Sequence, residues 1–303
     1  MTTLPLQRVR RPDLAELLSN RAAEVVDIRA GSRPMTHRVT VADRATRREL
    51  LCAVVASCDE GVPAVEEEGR LLVELRRGDH SPAVRAAPRH VGVAEHAGRP
   101  VLLMTPLSGR RLSTRARLGS RDVAGVFEWL AALREGPRLA PVPIDLGRAA
   151  VETLTAQSVS DPVVLRVLEP VMRSRDRLED FQVRPVISHG SLSTQRISME
   201  AGRVVGVEDW ACATLAGDPV RDLVGFAVAC AGLNLGSLLN GRSAVPSTLR
   251  RGVRAGLRSL DVDPRLYADA LVLAVAEWAA EPSPARRYAG LAALLSCTPA
   301  IKE

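Results

Sequence analysis

Residues 186–228, VISHGSLSTQRISMEAGRVVGVEDWACATLAGDPVRDLVGFAV, constrain the fold more than any other part of the chain. Two β-branched runs flank Glu200-Ala201-Gly202, and this pattern predicts a β-hairpin. A hairpin brings the segment before its first strand next to the segment after its second strand. His189-Gly190-Ser191 and Asp209 are therefore expected to lie side by side, so that one loop can carry a base and the other a metal-binding carboxylate.

The first hundred residues predict a sheet with one helix. The short runs EVVDIR, HRVTV, RLLVELRR and RPVLLM are separated by turn signals and predict strands. Between them, ATRRELLCAVVASC (residues 45–58) has apolar residues at helical spacing and predicts a helix.

The pattern changes after Pro106, where amphipathic helices replace the strands. We therefore expect an α+β fold with a small N-terminal antiparallel-sheet lobe, residues 1–106, and a larger, mostly helical C-terminal lobe, residues 107–303. The second lobe contains the loop and hairpin of residues 186–210. Helices are expected at 121–135, 162–180, 219–239, 247–260, 264–280 and 284–296.

Composition excludes some classes of function. The net charge of +6 suggests a polyanion partner, but aromatic residues are only 3% of the chain, too few for the stacking platforms of single-strand nucleic-acid binders. No arginine cluster is long or regular, so nucleic acid is not an expected partner. No apolar run is long enough to span a membrane, and the N-terminus has no apolar signal core, so we expect a cytoplasmic protein.

The compound motif resembles the aminoglycoside phosphotransferase and choline kinase family of protein-kinase-like proteins. That family carries H-G-D-x-x-x-x-N, a hairpin, D-W or D-F, and then G-D-P-x-x-D-L. This chain has His189-Gly190-Ser191, Arg196, Asp209-Trp210, and Gly217-Asp218-Pro219 followed by Asp222-Leu223. LLMTPLSGRRL, residues 102–112, resembles the hinge of the family, where backbone groups of Met104 and Thr105 would meet an adenine ring.

The departures from the family pattern affect the catalytic positions. Ser191 stands where the family has its aspartate base, and a hydroxyl is too weak a base to accept a proton near neutral pH. Arg196 stands where the family has its magnesium-binding asparagine, and a guanidinium cannot ligate a cation. We predict that Arg196 takes the place of magnesium and pairs with Asp209. His189 is expected to be a structural remnant, and Asp209 a weak metal ligand at most. Asp218, directly before Pro219, is expected to cap the following helix, and Trp210 to lie in the core.

The nucleotide side departs as well. The family resembles protein kinases in using a strand lysine braced by a helix glutamate, whereas the only lysine here is Lys302. Arg38 is the candidate replacement for the lysine, although arginine and lysine are not interchangeable at such sites. Glu49 is the predicted bracing glutamate, next to the nucleotide site.

Two functional hypotheses follow from the resemblance. The first is a catalytically degenerate kinase-like protein, a pseudokinase, that binds a partner protein, a peptide or a metabolite. No cofactor is then expected, and ATP and magnesium would bind weakly if they bind. The alternative is a divergent ATP-dependent phosphotransferase that acts on a hydroxyl of an antibiotic-like small molecule or of a modified peptide.

Overall fold

In a computed structural model, the structure describes residues 22–31, 33, 35–77, 81–112, 118–135, 139–240, 243–281 and 283–301. The chain forms two compact units. The first runs to Arg77 and adds Ala87–Leu107 and Asp209–Cys212, and the second contains Gly78–Ala86, Ser108–Glu208 and Ala213–Glu303.

The first unit is an antiparallel sheet that carries one helix. The strand order is β1-β2-β3-β5-β4. The bounds are β1 Ala23–Ala30, β2 Thr36–Asp43, β3 Glu49–Ala56, β4 His90–His96, β5 Arg99–Met104 and helix α1 Val62–Arg77.

Successive side chains of β2 point to opposite faces of the sheet, so the two faces carry different residues. Val39 and Val41 join a buried apolar cluster on one face. Arg38, the residue before Val39, points to the opposite face, which carries α1, because it contacts Glu68 of that helix. The period of the strand therefore directs one buried charge toward the helix.

The second unit is mostly helical. Its helices are α2 Ser120–Leu133, α3 Arg148–Ser158, α4 Pro162–Glu179, α5 Pro219–Ala231, α6 Leu235–Asn240, α7 Ala244–Arg258, α8 Tyr267–Ala279 and α9 Pro284–Ile301. Its short strands are β6 Arg110–Arg111, β7 Val142–Pro143, β8 Gln182–Val183, β9 Val186–Ser188, β10 Ile197–Glu200, β11 Arg203–Val207 and β12 Thr214–Gly217. Almost every side chain of α8 is buried, which places this helix in the centre of the unit.

The predicted hairpin is confirmed as β10 and β11, which pair antiparallel around Ala201 and Gly202. Both turn residues have positive φ, 50° and 80°, the left-handed conformation that tight two-residue hairpin turns require. The expected α+β class, with a small antiparallel sheet and a larger helical part, is confirmed as well.

Two predictions in the first unit are wrong. Residues 45–58 contain strand β3 rather than a helix, because this apolar run pairs antiparallel with β2 on one side and with β5 on the other. RLLVELRR is the second half of α1 rather than a strand. A short apolar run does not by itself distinguish a buried strand from a buried helix, and pairing decides between them here.

Other differences concern helix ends and missed elements. The predicted helix at 219–239 is divided into α5 and α6, because Gly232 ends α5 in a left-handed conformation with φ 54°. Helix α3 and strand β4 were not predicted. No helix among the described residues has both the length and the apolar character needed to cross a lipid bilayer.

Two helical glycines give a matched test of packing in the second unit. A Cβ on Gly125 of α2 would lie 2.0 Å from the carbonyl oxygen of Gly202 in the hairpin turn, whereas a Cβ on Gly225 of α5 would meet nothing within 4 Å. We expect Gly125→Ala to lower the free energy of unfolding by about 2 kcal/mol or more, because backbone must move. Gly225→Ala should raise it by roughly 0.5–1 kcal/mol through helix propensity. Urea unfolding measures both, and equal effects would contradict the predicted contact.

Candidate active site

A buried ion cluster occupies the first unit on the α1 face of the sheet. Arg38 donates through Nη2 to Oε1 of Glu68 and, at 3.1 Å, to Oδ1 of Asp209. The three side chains are 4%, 0% and 4% exposed. Strand β2 supplies the arginine, α1 the glutamate, and the segment after β11 the aspartate.

The backbone around Asp209 fixes the cluster. The N–H of Trp210 donates to the same Glu68 oxygen at 2.9 Å, and Trp210 is fully buried, as its expected core role requires. Asp209 itself has φ 72°, a left-handed conformation that is uncommon outside glycine and that aspartate tolerates better than most residues. A strained backbone of this kind persists only where its surroundings hold it in place.

The charges in this cluster are unequal, because one guanidinium faces two carboxylates. Burial raises the pKa of Glu68, and Arg38 opposes that effect. Burial works against the charge of Arg38 too, but Glu68 and Asp209 hold the pKa of this guanidinium above its usual value. Arg38 is therefore a permanent cation at the Asp209 carboxylate. Its Nε and Nη1 are buried and make no hydrogen bond with a described residue.

Glu68, which sequence reasoning missed, is the glutamate that braces Arg38. Glu49 is exposed at the start of β3, so the prediction that it braces the cation is corrected. The signal for Glu68 is its position between Val65 and Leu72, in the buried stripe of α1. An acidic residue in an apolar helix stripe needs a cationic partner.

The catalytic-loop motif lies in the second unit and is anchored by Asp222. Its carboxylate accepts from Ser188 Oγ at 3.0 Å and from the backbone N–H groups of His189 and Gly190 at 2.5 and 2.9 Å. Burial raises the pKa of Asp222, while these hydrogen bonds act to lower it. Asp222 therefore holds the loop that contains His189 and Gly190.

His189 and Asp218 hold neighbouring segments. His189 is fully buried and donates through Nε2 to the carbonyl oxygen of Glu208 at 3.0 Å, which ties the loop to the end of β11. Asp218 caps α5 by accepting from the N–H of Val220 at 2.8 Å, as expected, and also accepts from the N–H groups of Asp145 and Leu146. These contacts are structural and leave His189 with a tethering role.

Ser191 and Arg196 contact each other within this loop. Arg196 donates through Nη1 to both the carbonyl oxygen and, at 2.6 Å, the Oγ of Ser191. The guanidinium therefore holds the hydroxyl at the position of the missing base. The ion pair between Arg196 and Asp209 would join the two units and stays a prediction.

The predicted hinge residues lie in the first unit. Met104 is fully buried at the end of β5, where it pairs with both Cys52 and His90. The N–H of Thr105 donates to the carbonyl oxygen of Arg89 at 2.9 Å, and Pro106 has no N–H. Neither Thr105 nor Pro106 therefore offers a free backbone N–H donor to an adenine ring.

The described residues do not fit magnesium in the way that the sequence motif of the family implies. Asp209 accepts from Arg38, and Arg196 cannot ligate a cation. Among the residues with described positions, no group of three or more His, Cys, Asp or Glu side chains could hold a metal ion.

Comparisons with solved structures identify the fold. The chain resembles aminoglycoside phosphotransferase APH(4)-Ia, with a TM-score of 0.60, 16% identity, and coverage of 95% of this chain and 97% of that one. A GDP and kanamycin complex of an APH(2'') enzyme gives 0.57, 15%, 95% and 97%. APH(3'')-Id from Streptomyces rimosus gives 0.52, 15%, 87% and 99%. No family model matches the sequence, and no curated protein matches it either. The chain has the kinase-like fold of the aminoglycoside phosphotransferases, as its motifs predicted.

The buried cluster predicts a large effect of one substitution. Arg38→Met leaves Glu68 and Asp209 buried without their cation, and we expect it to lower the free energy of unfolding by about 3–5 kcal/mol. Arg38→Lys keeps the charge and should cost less. The matched control is Arg70→Met in α1, which removes an exposed ion pair with Glu74 and should cost about 0.5 kcal/mol. Equal losses for Arg38→Met and Arg70→Met in urea unfolding would contradict this account.

Proposed function

We propose that this protein is a catalytically degenerate relative of the phosphotransferases, a pseudokinase that binds a partner protein, a peptide or a metabolite and transfers no phosphate. The observation that carries the proposal is the contact between Arg38 and Asp209. The family uses this aspartate for a divalent cation, and here a protein side chain already supplies a positive charge to it. A guanidinium cannot bridge phosphate oxygens as a metal ion does.

The position of the base supports the proposal. Ser191 cannot accept a proton from a substrate hydroxyl near neutral pH, and its Oγ already accepts from Arg196. A nearby cation stabilises a lone pair and makes it a weaker base. Loss of a general base alone lowers a rate by about 10²- to 10⁴-fold. The loss of the metal-binding asparagine lowers it further, because phosphoryl transfer depends on positioning and on electrostatic stabilisation.

The cluster also places an arginine at the position where the family has its lysine. Arg38 contacts Glu68 and Asp209 together through Nη2, and its single positive charge offsets one of the two carboxylate charges. A divalent cation at Asp209 would have to share this carboxylate with Arg38.

A second candidate is a divergent phosphotransferase with an alcohol acceptor. Its support is the likeness to aminoglycoside phosphotransferases, including a thermostable mutant of APH(4)-Ia in ternary complex with AMP-PNP and hygromycin B, with a TM-score of 0.62 and 16% identity. The bracing contact of Glu68 with the strand cation is consistent with it as well. This candidate requires a base other than Ser191.

Phosphate transfer separates the two candidates. Incubation of the protein with ATP, magnesium and either hygromycin B or kanamycin should give no phosphorylated product above the protein-free background in mass spectra. The reason is the absence of both a base at Ser191 and a metal ligand at Arg196. The variant Ser191→Ala should give the same background. Product formation by the unaltered chain that Asp209→Ala abolishes would overturn the pseudokinase proposal in favour of the second candidate.

Magnesium dependence tests the role of Arg38 directly. We expect the melting temperature measured with ATP to be the same with magnesium and with EDTA. A ligand raises the melting temperature only as far as it binds the native state, and magnesium is not expected to strengthen the binding of ATP. Arg38 already donates to Asp209, so magnesium should add no further stabilisation at this carboxylate. A rise in melting temperature that requires magnesium, and that Asp209→Asn removes, would contradict this expectation.

A further inference from the structure

A groove runs along helix α1 of the first unit, away from the cluster of Arg38. It encloses about 400 Å³ between α1 and strands β4 and β5. Its apolar surface comes from Val65 and Val73 of the helix and from Val93, Pro100 and Leu102 of the strands. We call it the α1–β4 groove. A volume of this size suits a few side chains of a bound peptide or a small molecule.

Gly69 lines the groove next to β5. A Cβ at this position would come within 3.2 Å of Leu102 Cδ1, so a side chain would reduce the space of the groove. Glycine inside a helix costs about 1 kcal/mol relative to alanine. Helix α1 therefore carries a helix-destabilising residue in the wall of the groove.

Strand β4 provides a second feature that favours an extended ligand. It is the edge strand of the five-stranded sheet and pairs only with β5 among the strands that the structure describes. A register shift between His90 and Gly92 leaves Val91 60% exposed, and Val93 is 36% exposed on the groove side. An edge strand beside an apolar groove is the arrangement that binds peptides by strand addition.

The charges at the two ends of the groove give the ligand a direction. Glu66 and Arg77 line it and form no ion pair with any residue in the described part of the chain, whereas Arg70 and Glu74 between them pair with each other. Eleven residues of helix separate the two ends by about 16 Å. About five residues of an extended peptide span the same distance.

The orientation follows from the neighbours of α1. Arg76, beside Arg77, donates to the carbonyl oxygen of Ala87, so the C-terminal end of α1 lies near the segment that enters β4. Glu66 therefore lies toward the other end of the strand. A peptide antiparallel to β4 would begin near Glu66 and end near Arg77.

We propose that the α1–β4 groove binds an extended peptide segment of another protein, which adds antiparallel to β4. The segment places alternate apolar side chains in the groove, with a basic residue at its N-terminal end facing Glu66 and an acidic residue at its C-terminal end facing Arg77. The proposal gives the pseudokinase a specific partner surface. It depends on no residue of the Arg38 cluster, so its test and the test of the proposed function fail independently.

Two synthetic peptides test the proposal on the 303-residue chain. One has the order Lys-Thr-Leu-Thr-Val-Thr-Glu with blocked termini and a fluorescent label, so that Lys, Leu, Val and Glu share one face, and in the other the Lys and Glu are exchanged. Fluorescence anisotropy should show that the first binds about 3- to 10-fold more tightly, as expected for two exposed charge pairs. The double variant Glu66→Arg with Arg77→Glu should reverse that preference.

A pair of strand variants locates the binding edge. Val93→Arg should weaken binding of the first peptide by about tenfold or more, because it puts a charge into the apolar contact. The matched control is Val25→Arg on β1, a residue 43% exposed at the opposite edge of the sheet, which should leave binding unchanged. The proposal is overturned by failure of both peptides to bind at millimolar concentration, by equal binding that the charge reversal does not alter, or by loss of binding in Val25→Arg alone.

Discussion

The buried contact of Arg38 with Glu68 and Asp209 determines the properties of the first unit. One guanidinium on β2 joins helix α1 to Asp209, which belongs to the same unit. The burial of three charges is tolerated because the pairing offsets much of the desolvation cost. The same contact places a permanent cation on Asp209, the carboxylate that the motif resemblance assigns to a metal ion. The stability of the first unit and the proposed loss of phosphate transfer therefore depend on the same contact.

The loop of the second unit that resembles a catalytic loop is held by contacts outside the positions of Ser191 and Arg196. Asp222 holds the loop through three hydrogen bonds, and His189 ties it to Glu208. These contacts do not need the residue at the base position, so the loop can fold with serine there. Arg196 then orders Ser191 through two hydrogen bonds. The loop is therefore ordered by contacts that need no catalytic base, as the proposed function requires.

Local signals were enough for much of this architecture. The hairpin and the cap at Asp218 depend on residues a few positions apart, and both were predicted. Strand β3 was not, because ELLCAVVA is buried from both sides and its apolar run has no strand period. Glu68 was missed because its partner Arg38 is brought near only by tertiary packing. The bracing role of Glu68 and the contact of Arg38 with Asp209 could not be derived from motif spacing. The motif gives the position of Asp209 in the sequence but does not say which cationic side chain contacts it in the folded chain.

A double-mutant cycle between Arg38→Met and Asp209→Asn tests the central claim most directly. The coupling free energy from urea unfolding isolates the interaction of these two side chains from the contribution of each to the rest of the fold. A buried, hydrogen-bonded charge pair should give a coupling of about 1.5 kcal/mol or more. A coupling near zero would show that Arg38 does not act as the cation of Asp209, and the account of a metal site replaced by a side chain would be wrong.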